Sequence, residues 1–211
     1  MRITIIYDNE AWEKGLKADW GFSCLIEAYD KNILFDTGAQ AGILLGNMEK
    51  VSVDPRVIDE IVISHSHWDH TGGLSGFLTL NPCRVYIPSS CPLPPVGDDV
   101  IRVKAPMKIH ENIFSTGELR GIEQSLVVKT EAGLVVIVGC SHPGVKEIFE
   151  EASRHGKIKF LIGGLHGFNE FNLVRDLEKI CPTHCTQYKK EIKALFPDKY
   201  VEGGAGRVIE I

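Results

Sequence analysis

The chain has 211 residues, 44% of them hydrophobic and 24% charged, and its 23 basic and 28 acidic side chains leave a formal charge of −5. A chain of this length and apolar share buries a sizeable core, and its acidic balance argues against a protein that wraps nucleic acid. Ten prolines and 21 glycines are too few for a disordered or fibrous class, no apolar run reaches the ~20 residues of a membrane span, and Asp8 and Glu10 come too early for a secretory segment.

A soluble cytoplasmic protein is expected. Residues 2–7 are β-branched and read as an outer strand. Phe22–Ala28 and Asn32–Phe35 flank the polar turn Tyr29-Asp30-Lys31, a hairpin whose second strand ends at Asp36-Thr37-Gly38. A short helix is expected over 41–49, weakened by Gly42 and Gly46. Asp54 before Pro55 reads as the cap and first turn of another. Glu60–Ser64 is a buried strand that opens into a polar loop at His65. After Gly72-Gly73 a helix runs to Leu80, followed by a strand over Arg84–Ile87 and an irregular stretch over 88–98. Strands are expected over Lys108–Phe114, Gln124–Thr130 and Gly133–Val138. Pro143–Arg154 is amphipathic and predicts a helix, Ile158–Ile162 a buried strand, Phe171–Ile180 and Lys189–Phe196 two more helices, and Val208–Ile211 a closing strand. The element pattern repeats once around residue 105. This suggests a single domain of two structurally similar halves, about 1–105 and 106–211, in which two mixed sheets carry helices on their outer faces.

Six cysteines, at 24, 83, 91, 140, 181 and 185, read mostly as buried or half-buried thiols. Cys181 and Cys185 lack the second doublet that a four-cysteine zinc site requires.

The segment His65-Ser66-His67-Trp68-Asp69-His70 places four ligand-competent side chains within six residues, directly after a buried strand. Imidazole and carboxylate suit zinc, iron or manganese. On an extended backbone His65 and His67 share a side, and a turn after them brings Asp69 and His70 to a neighbouring position. Two metals need further ligands. The strand ending in Gly139-Cys140-Ser141-His142 offers His142 first, with Cys140 as thiolate ligand, metal bridge or plain buried thiol. His184, in Pro182-Thr183-His184-Cys185, is the second remote candidate. His166 has the same strand-end placement and reads as a ligand or as a catalytic group on the substrate. His110 in its strand and His155 after its helix are read as structural and surface residues. Asp36 reads either as a turn residue or as a carboxylate that orients a ligand histidine, and the second is favoured.

These segments, together with Glu123-Gln124-Ser125 and Gly163-Gly164-Leu165-His166, resemble the metallo-β-lactamase fold superfamily over nearly the whole chain. They are similar to its dihydropteroate-synthase-like branch, whose archaeal relatives are associated with pterin or ribofuranosylaminobenzene phosphate chemistry. The resemblance implies an αββα sandwich with the site along one edge. It implies His65, His67 and a later histidine at one metal, and Asp69, His70 and another later histidine at the second. Many relatives carry a bridging aspartate where Cys140 stands, and a remote histidine between 86 and 123 that is missing here in its familiar setting, since His110 has no Gly-His-Thr context. His142 is therefore expected to take that duty, and a true β-lactamase is disfavoured. The expected cofactors are two divalent metals, zinc first, with iron or manganese as alternatives.

A metal-bound water has its pKa lowered toward neutrality, so hydroxide becomes available as a nucleophile. The leading expectation is a metal-dependent hydrolase of a small phosphorylated or ester substrate, with Asp69 and His166 in catalytic roles. Lys104, Lys108, Arg120, Lys189 and Arg207 are candidate phosphate contacts, and the glycine-rich stretch 202–207 is a candidate anion nest or a plain turn. The rival readings are an iron-dependent oxidoreductase of the same fold and a non-catalytic metal- or ligand-binding protein. A nucleic-acid partner is not expected, and a homo-oligomer is left open.

Overall fold

The computed structural model describes residues 1–211. Thirteen strands form two sheets. The first has the order β13 (Val208–Glu210), β1 (Arg2–Tyr7), β2 (Ser23–Ala28), β3 (Lys31–Phe35), β4 (Glu60–Val62), β5 (Arg84–Pro88), β6 (Val100–Val103). The second has the order β12 (Lys179–Thr183), β11 (Ile158–Gly164), β10 (Gly133–Val138), β9 (Leu126–Thr130), β8 (Ile113–Ser115), β7 (Met107–His110). Both sheets are mixed: β3 to β6 run parallel and so do β10 to β12, while the other pairs are antiparallel.

The helices are α1 (Ala41–Lys50), α2 (Trp68–Thr71), α3 (Leu74–Leu80), α4 (Val145–Ala152) and α5 (Lys189–Leu195). None is long and apolar enough to cross a membrane. Alternate residues of the strands feed three apolar clusters, because successive side chains face opposite ways. The middle one, including Ile5, Phe35, Val62, Val135 and Ile162, lies between the sheets. The outer two join the sheets to α1 and α3 on one side and to α4 and α5 on the other. This is the four-layer αββα arrangement that the motifs implied.

The strand direction places the site. β1, β3 and β4 in one sheet and β10, β11 and β12 in the other end at a common edge, and ligands collect beyond the carboxyl ends of such strands. Those ends carry Asp8, Asp36, His65, Cys140, His166 and His184.

Four local readings change. The helix expected over Phe171–Ile180 is a single 3-10 turn, Phe171–Val174, followed by β12. Ile180 and Cys181 are fully buried there, so tertiary burial overrides the helical spacing, and Pro182 is tolerated because β12 is an edge strand. The strand expected over Lys108–Phe114 is a hairpin, β7 and β8. β6 falls where no strand was read. His155 is not a free surface residue: its ring stacks on Phe114 with centroids 4.0 Å apart.

Candidate metal centre

β4 delivers Ser64 and His65, and a sharp turn into α2 delivers His67, Asp69 and His70. Gly72 and Gly73 make this turn fit: a Cβ at either position would stand within 2.2 Å of the carbonyl oxygens of Ala39 and Thr37. Thr37 closes the contact by donating its backbone N–H and its hydroxyl to the His70 carbonyl, at 2.8 and 2.9 Å. Four strand ends reach the site through non-glycine residues in the left-handed region: Asp36 (φ 57°), Ser141 (59°), His166 (45°) and His184 (47°). That conformation costs on the order of 1 kcal/mol or more per residue and gathers at functional sites.

One carboxylate sets two rings. Asp36, fully buried, accepts from Ser64 N and from Ser64 Oγ, each at 2.7 Å, and lies 2.7 Å from His70 Nδ1. The Ser64 hydroxyl proton is committed to Asp36, so its lone pair takes the Nδ1–H of His65 at 2.8 Å. His65 and His70 therefore both turn bare Nε2 lone pairs inward. His184 is fixed in the same sense by Asn9, whose Oδ1 lies 2.9 Å from Nδ1. The Asn9 amide is oriented in turn by the His184 carbonyl and the Gly21 N–H, each at 3.1 Å.

These inward-facing donor atoms converge at close range. His65 Nε2 is 2.9 Å from His67 Nδ1, and the His142 ring packs edge-on against both at 4.8 Å. Asp69 Oδ2 stands 3.2 Å from His184 Nε2 and 3.8 Å from His70 Nε2. Cys140 Sγ lies 3.2 Å from His70 Nε2. The ligand atoms of His65, Cys140 and His142 form one compact group, those of His70, Cys140 and His184 another, and Cys140 belongs to both. His142 Nε2 and His184 Nε2 are buried without a hydrogen-bond partner, a state that costs free energy unless a ligand fills it. The donor set fits divalent metal.

The electrostatics agree. Burial and the neighbouring imidazoles push His65 and His70 far below the ordinary histidine range, and His142 down to about 4. Burial raises the Asp69 carboxyl, but the His184 and His70 rings beside it outweigh this and hold it below the usual carboxylate range. Neutral imidazoles beside a charged carboxylate are what a cation requires.

A pH dependence follows. In the unfolded chain these rings take up protons below about pH 6.5, while in the folded, metal-free chain they do not. Unfolding then binds protons, so stability falls as pH drops. The loss is about 1.4 kcal/mol per pH unit for each of His65 and His70. Half-buried His142 adds less because solvent screens it. Burial raises the Asp36 and Glu123 carboxyls, which offsets part of this loss over the same range, so the melting temperature of metal-stripped protein is expected to fall moderately from pH 7 to pH 5. A profile that stays flat over that range would overturn the account.

The sequence did not single out three supporting residues. Glu123 is fully buried, and its carboxylate accepts the backbone N–H groups of Gly139, Cys140, Ser141 and His142 at 3.0–3.1 Å. It holds in place the loop that presents Cys140 and His142. Asn9 sets His184, and Cys185 packs its sulfur 3.3 Å from Cys140 Sγ. Glu123 sat in a motif that carried the family resemblance, which was its available signal; nothing local marks Asn9.

The cavity over the site has a volume of about 310 Å³, and Trp20, Trp68 and His166 stand on its wall. Trp68 is 63% exposed, which makes it pocket wall rather than core. His166 lies outside both ligand groups, exposed, with its ring 5.2 Å from that of His142. None of the five candidate cations lines this cavity. Lys189 pairs with Glu10, Arg120 with Glu147, and Arg207 covers Trp12. The 202–207 stretch is no open nest, because the N–H groups of Ala205, Gly206 and Arg207 donate to Glu10, Ile5 and Gly204 carbonyls. His110 is satisfied by Glu60 at 2.8 Å, as read.

The family model of the metallo-beta-lactamase superfamily matches residues 21–164, and the chain belongs to that superfamily. Its members are mostly metal-dependent hydrolases that bind divalent metals. Among individual proteins, the chain is 26% identical to the 7,8-dihydropterin-6-methyl-4-(beta-D-ribofuranosyl)-aminobenzene-5'-phosphate synthase of Methanocaldococcus jannaschii, over 98% of this chain and 95% of that protein. It is 29% identical to an uncharacterised protein of the same organism, over 99% and 100%. A crystal structure of a metal-dependent hydrolase of the beta-lactamase superfamily superposes with a TM-score of 0.79 at 26% identity, covering 100% and 99% of the two chains.

Proposed function

We propose that the protein is a metal-dependent hydrolase of a small phosphorylated or ester substrate, acting at a site for two divalent cations. The observation that carries this reading is the convergence of bare imidazole nitrogens, two of them buried without a partner. His65, His67 and His142 would hold one ion and Asp69, His70 and His184 the other, with Cys140 shared. Imidazole, carboxylate and thiol together favour zinc, while iron and manganese suit the imidazoles and the carboxylate. When bound, such ions make a hydrolytic nucleophile available near neutral pH and polarise the bond under attack.

The chain's own groups do the rest. Asp69 Oδ2 remains charged at neutral pH and accepts a hydrogen bond from water in the cavity. His166 lines the cavity and would donate to a substrate oxygen. Trp20 and Trp68 offer flat apolar faces at the mouth, against which a ring-bearing substrate would stack. Pterin-related phosphates are therefore the first substrates to try, in keeping with the name of the 26% identical relative.

The test is a panel of phosphomonoesters, cyclic phosphodiesters, lactones and thioesters, with zinc, manganese or ferrous iron supplied. Turnover of at least one class is expected. Asp69→Ala and His67→Ala are each expected to lower kcat/KM at least ~10³-fold, about 4 kcal/mol of transition-state stabilisation. Metal content must be measured on the same samples: a variant that keeps both ions and loses rate marks a chemical role, and one that loses an ion marks a ligand. Metal-dependent oxygen consumption without turnover on any member would replace this reading with the oxidoreductase one.

A further inference from the structure

Cys140 and Cys185 come from different strand ends, 45 residues apart in sequence. Cys185 donates its S–H to Cys140 Sγ at 3.3 Å, and Cys140 Sγ also touches His70 Nε2 at 3.2 Å. Both sulfur-bearing residues line the cavity. Gly164 leaves the room they share: a Cβ there would lie 2.8 Å from Cys185 Sγ and 3.4 Å from Cys140 Cα. The other cysteines do not line this cavity. Cys24 and Cys181 belong to the core between the sheets, Cys91 belongs to the cluster under α1 and α3, and Cys83 packs against that cluster. Nothing in the hydrolytic reading uses Cys185.

We infer that Cys140 and Cys185 form a reactive dithiol, oxidised by small disulfides to an intramolecular disulfide in competition with metal uptake. Bond formation brings the sulfurs from 3.3 Å to about 2.05 Å. The exchange balances in two steps. One cysteine sulfur bonds to a sulfur of the oxidant RSSR, and the other half leaves as RSH. The second cysteine sulfur then bonds to the first and expels the remaining half as RSH. Two electrons pass from the cysteines to the oxidant, and the two thiol protons leave on the two RSH molecules. In the disulfide, the Cys140 sulfur has no thiolate to share between the two ligand groups. Only this competition with metal rests on the proposed metal centre; the dithiol itself does not.

The experiment treats metal-stripped protein with oxidised glutathione, then maps its peptides by mass spectrometry. A peptide linked through Cys140 and Cys185 is expected, reversed by dithiothreitol and suppressed when zinc is loaded first. Zinc uptake by the oxidised protein is expected to fall at least tenfold and to return on reduction. Cys185→Ser is expected to stop at the first step, with glutathione held on Cys140. Modification confined to Cys83, or a linked peptide that leaves zinc uptake unchanged, would overturn the inference. If reduced, metal-stripped protein takes up no zinc or other divalent metal, the metal centre fails instead, and the linked peptide still decides the dithiol.

Discussion

Replacing Glu123 with alanine is expected to cost the protein most of its stability and all of its metal. Four consecutive backbone N–H groups end on this one carboxylate. A buried donor left without a partner costs about 1–3 kcal/mol, so the four together reach at least ~4 kcal/mol. Whole domains are stable by only about 5–15 kcal/mol. Burial raises the Glu123 carboxyl to about 7, against the downward pull of those donors. Glu123→Gln separates the two effects. Its amide oxygen can take over from Oε1, which serves Gly139, Cys140 and Ser141, but its NH₂ would face the His142 N–H that Oε2 now accepts. That variant is expected to fold, melt lower and bind less metal at the group containing His142. Chemical denaturation and metal analysis on both variants check this. An alanine variant with native stability would show that the loop holds itself.

Asp36→Asn is expected to weaken metal binding by about 10–100-fold while the fold survives. The substitution keeps the size of the side chain but exchanges an acceptor oxygen for an NH₂ group. Asp36 Oδ2 now serves both Ser64 Oγ and His70 Nδ1. With a donor there, His70 must move its proton to Nε2, and the lone pair that faces Cys140 and Asp69 is lost. The Ser64 hydroxyl must rotate as well, which releases the tautomer of His65. Zinc affinity by chelator competition, with circular dichroism as the control for folding, reads the result. Native affinity in Asp36→Asn would mean that the rings are held by packing alone.

Much of the site was legible because its donors sit close together in sequence. His65, His67, Asp69 and His70 lie within one turn, where the alternation of an extended segment and the start of a helix decide which way each side chain points. The strand ends at Asp36, Cys140 and His166 were legible too, since short apolar runs that stop at a polar residue mark the edge of a buried sheet, whereas His184 was read as lying between two helices. The αββα architecture followed from the motifs rather than from periodicity. Periodicity alone misread Phe171–Ile180 as helix, because β12 draws its stability from parallel pairing with β11, a contact absent from any local window.

The partnerships across the fold were decided elsewhere. Only the tertiary structure joins Asn9 to His184 across 175 residues, Glu123 to the Cys140 loop, and Cys185 to Cys140. Only it keeps the five candidate cations off the cavity wall, three of them engaged elsewhere: Lys189 and Arg120 with distant carboxylates and Arg207 over Trp12. The physical reason is common to all of these. Residue type and spacing determine which atoms a segment can offer, through backbone geometry that acts over a few residues. Which atoms meet depends on how the two sheets bring their strand ends to one edge, and that is set by burial of the whole apolar core between them.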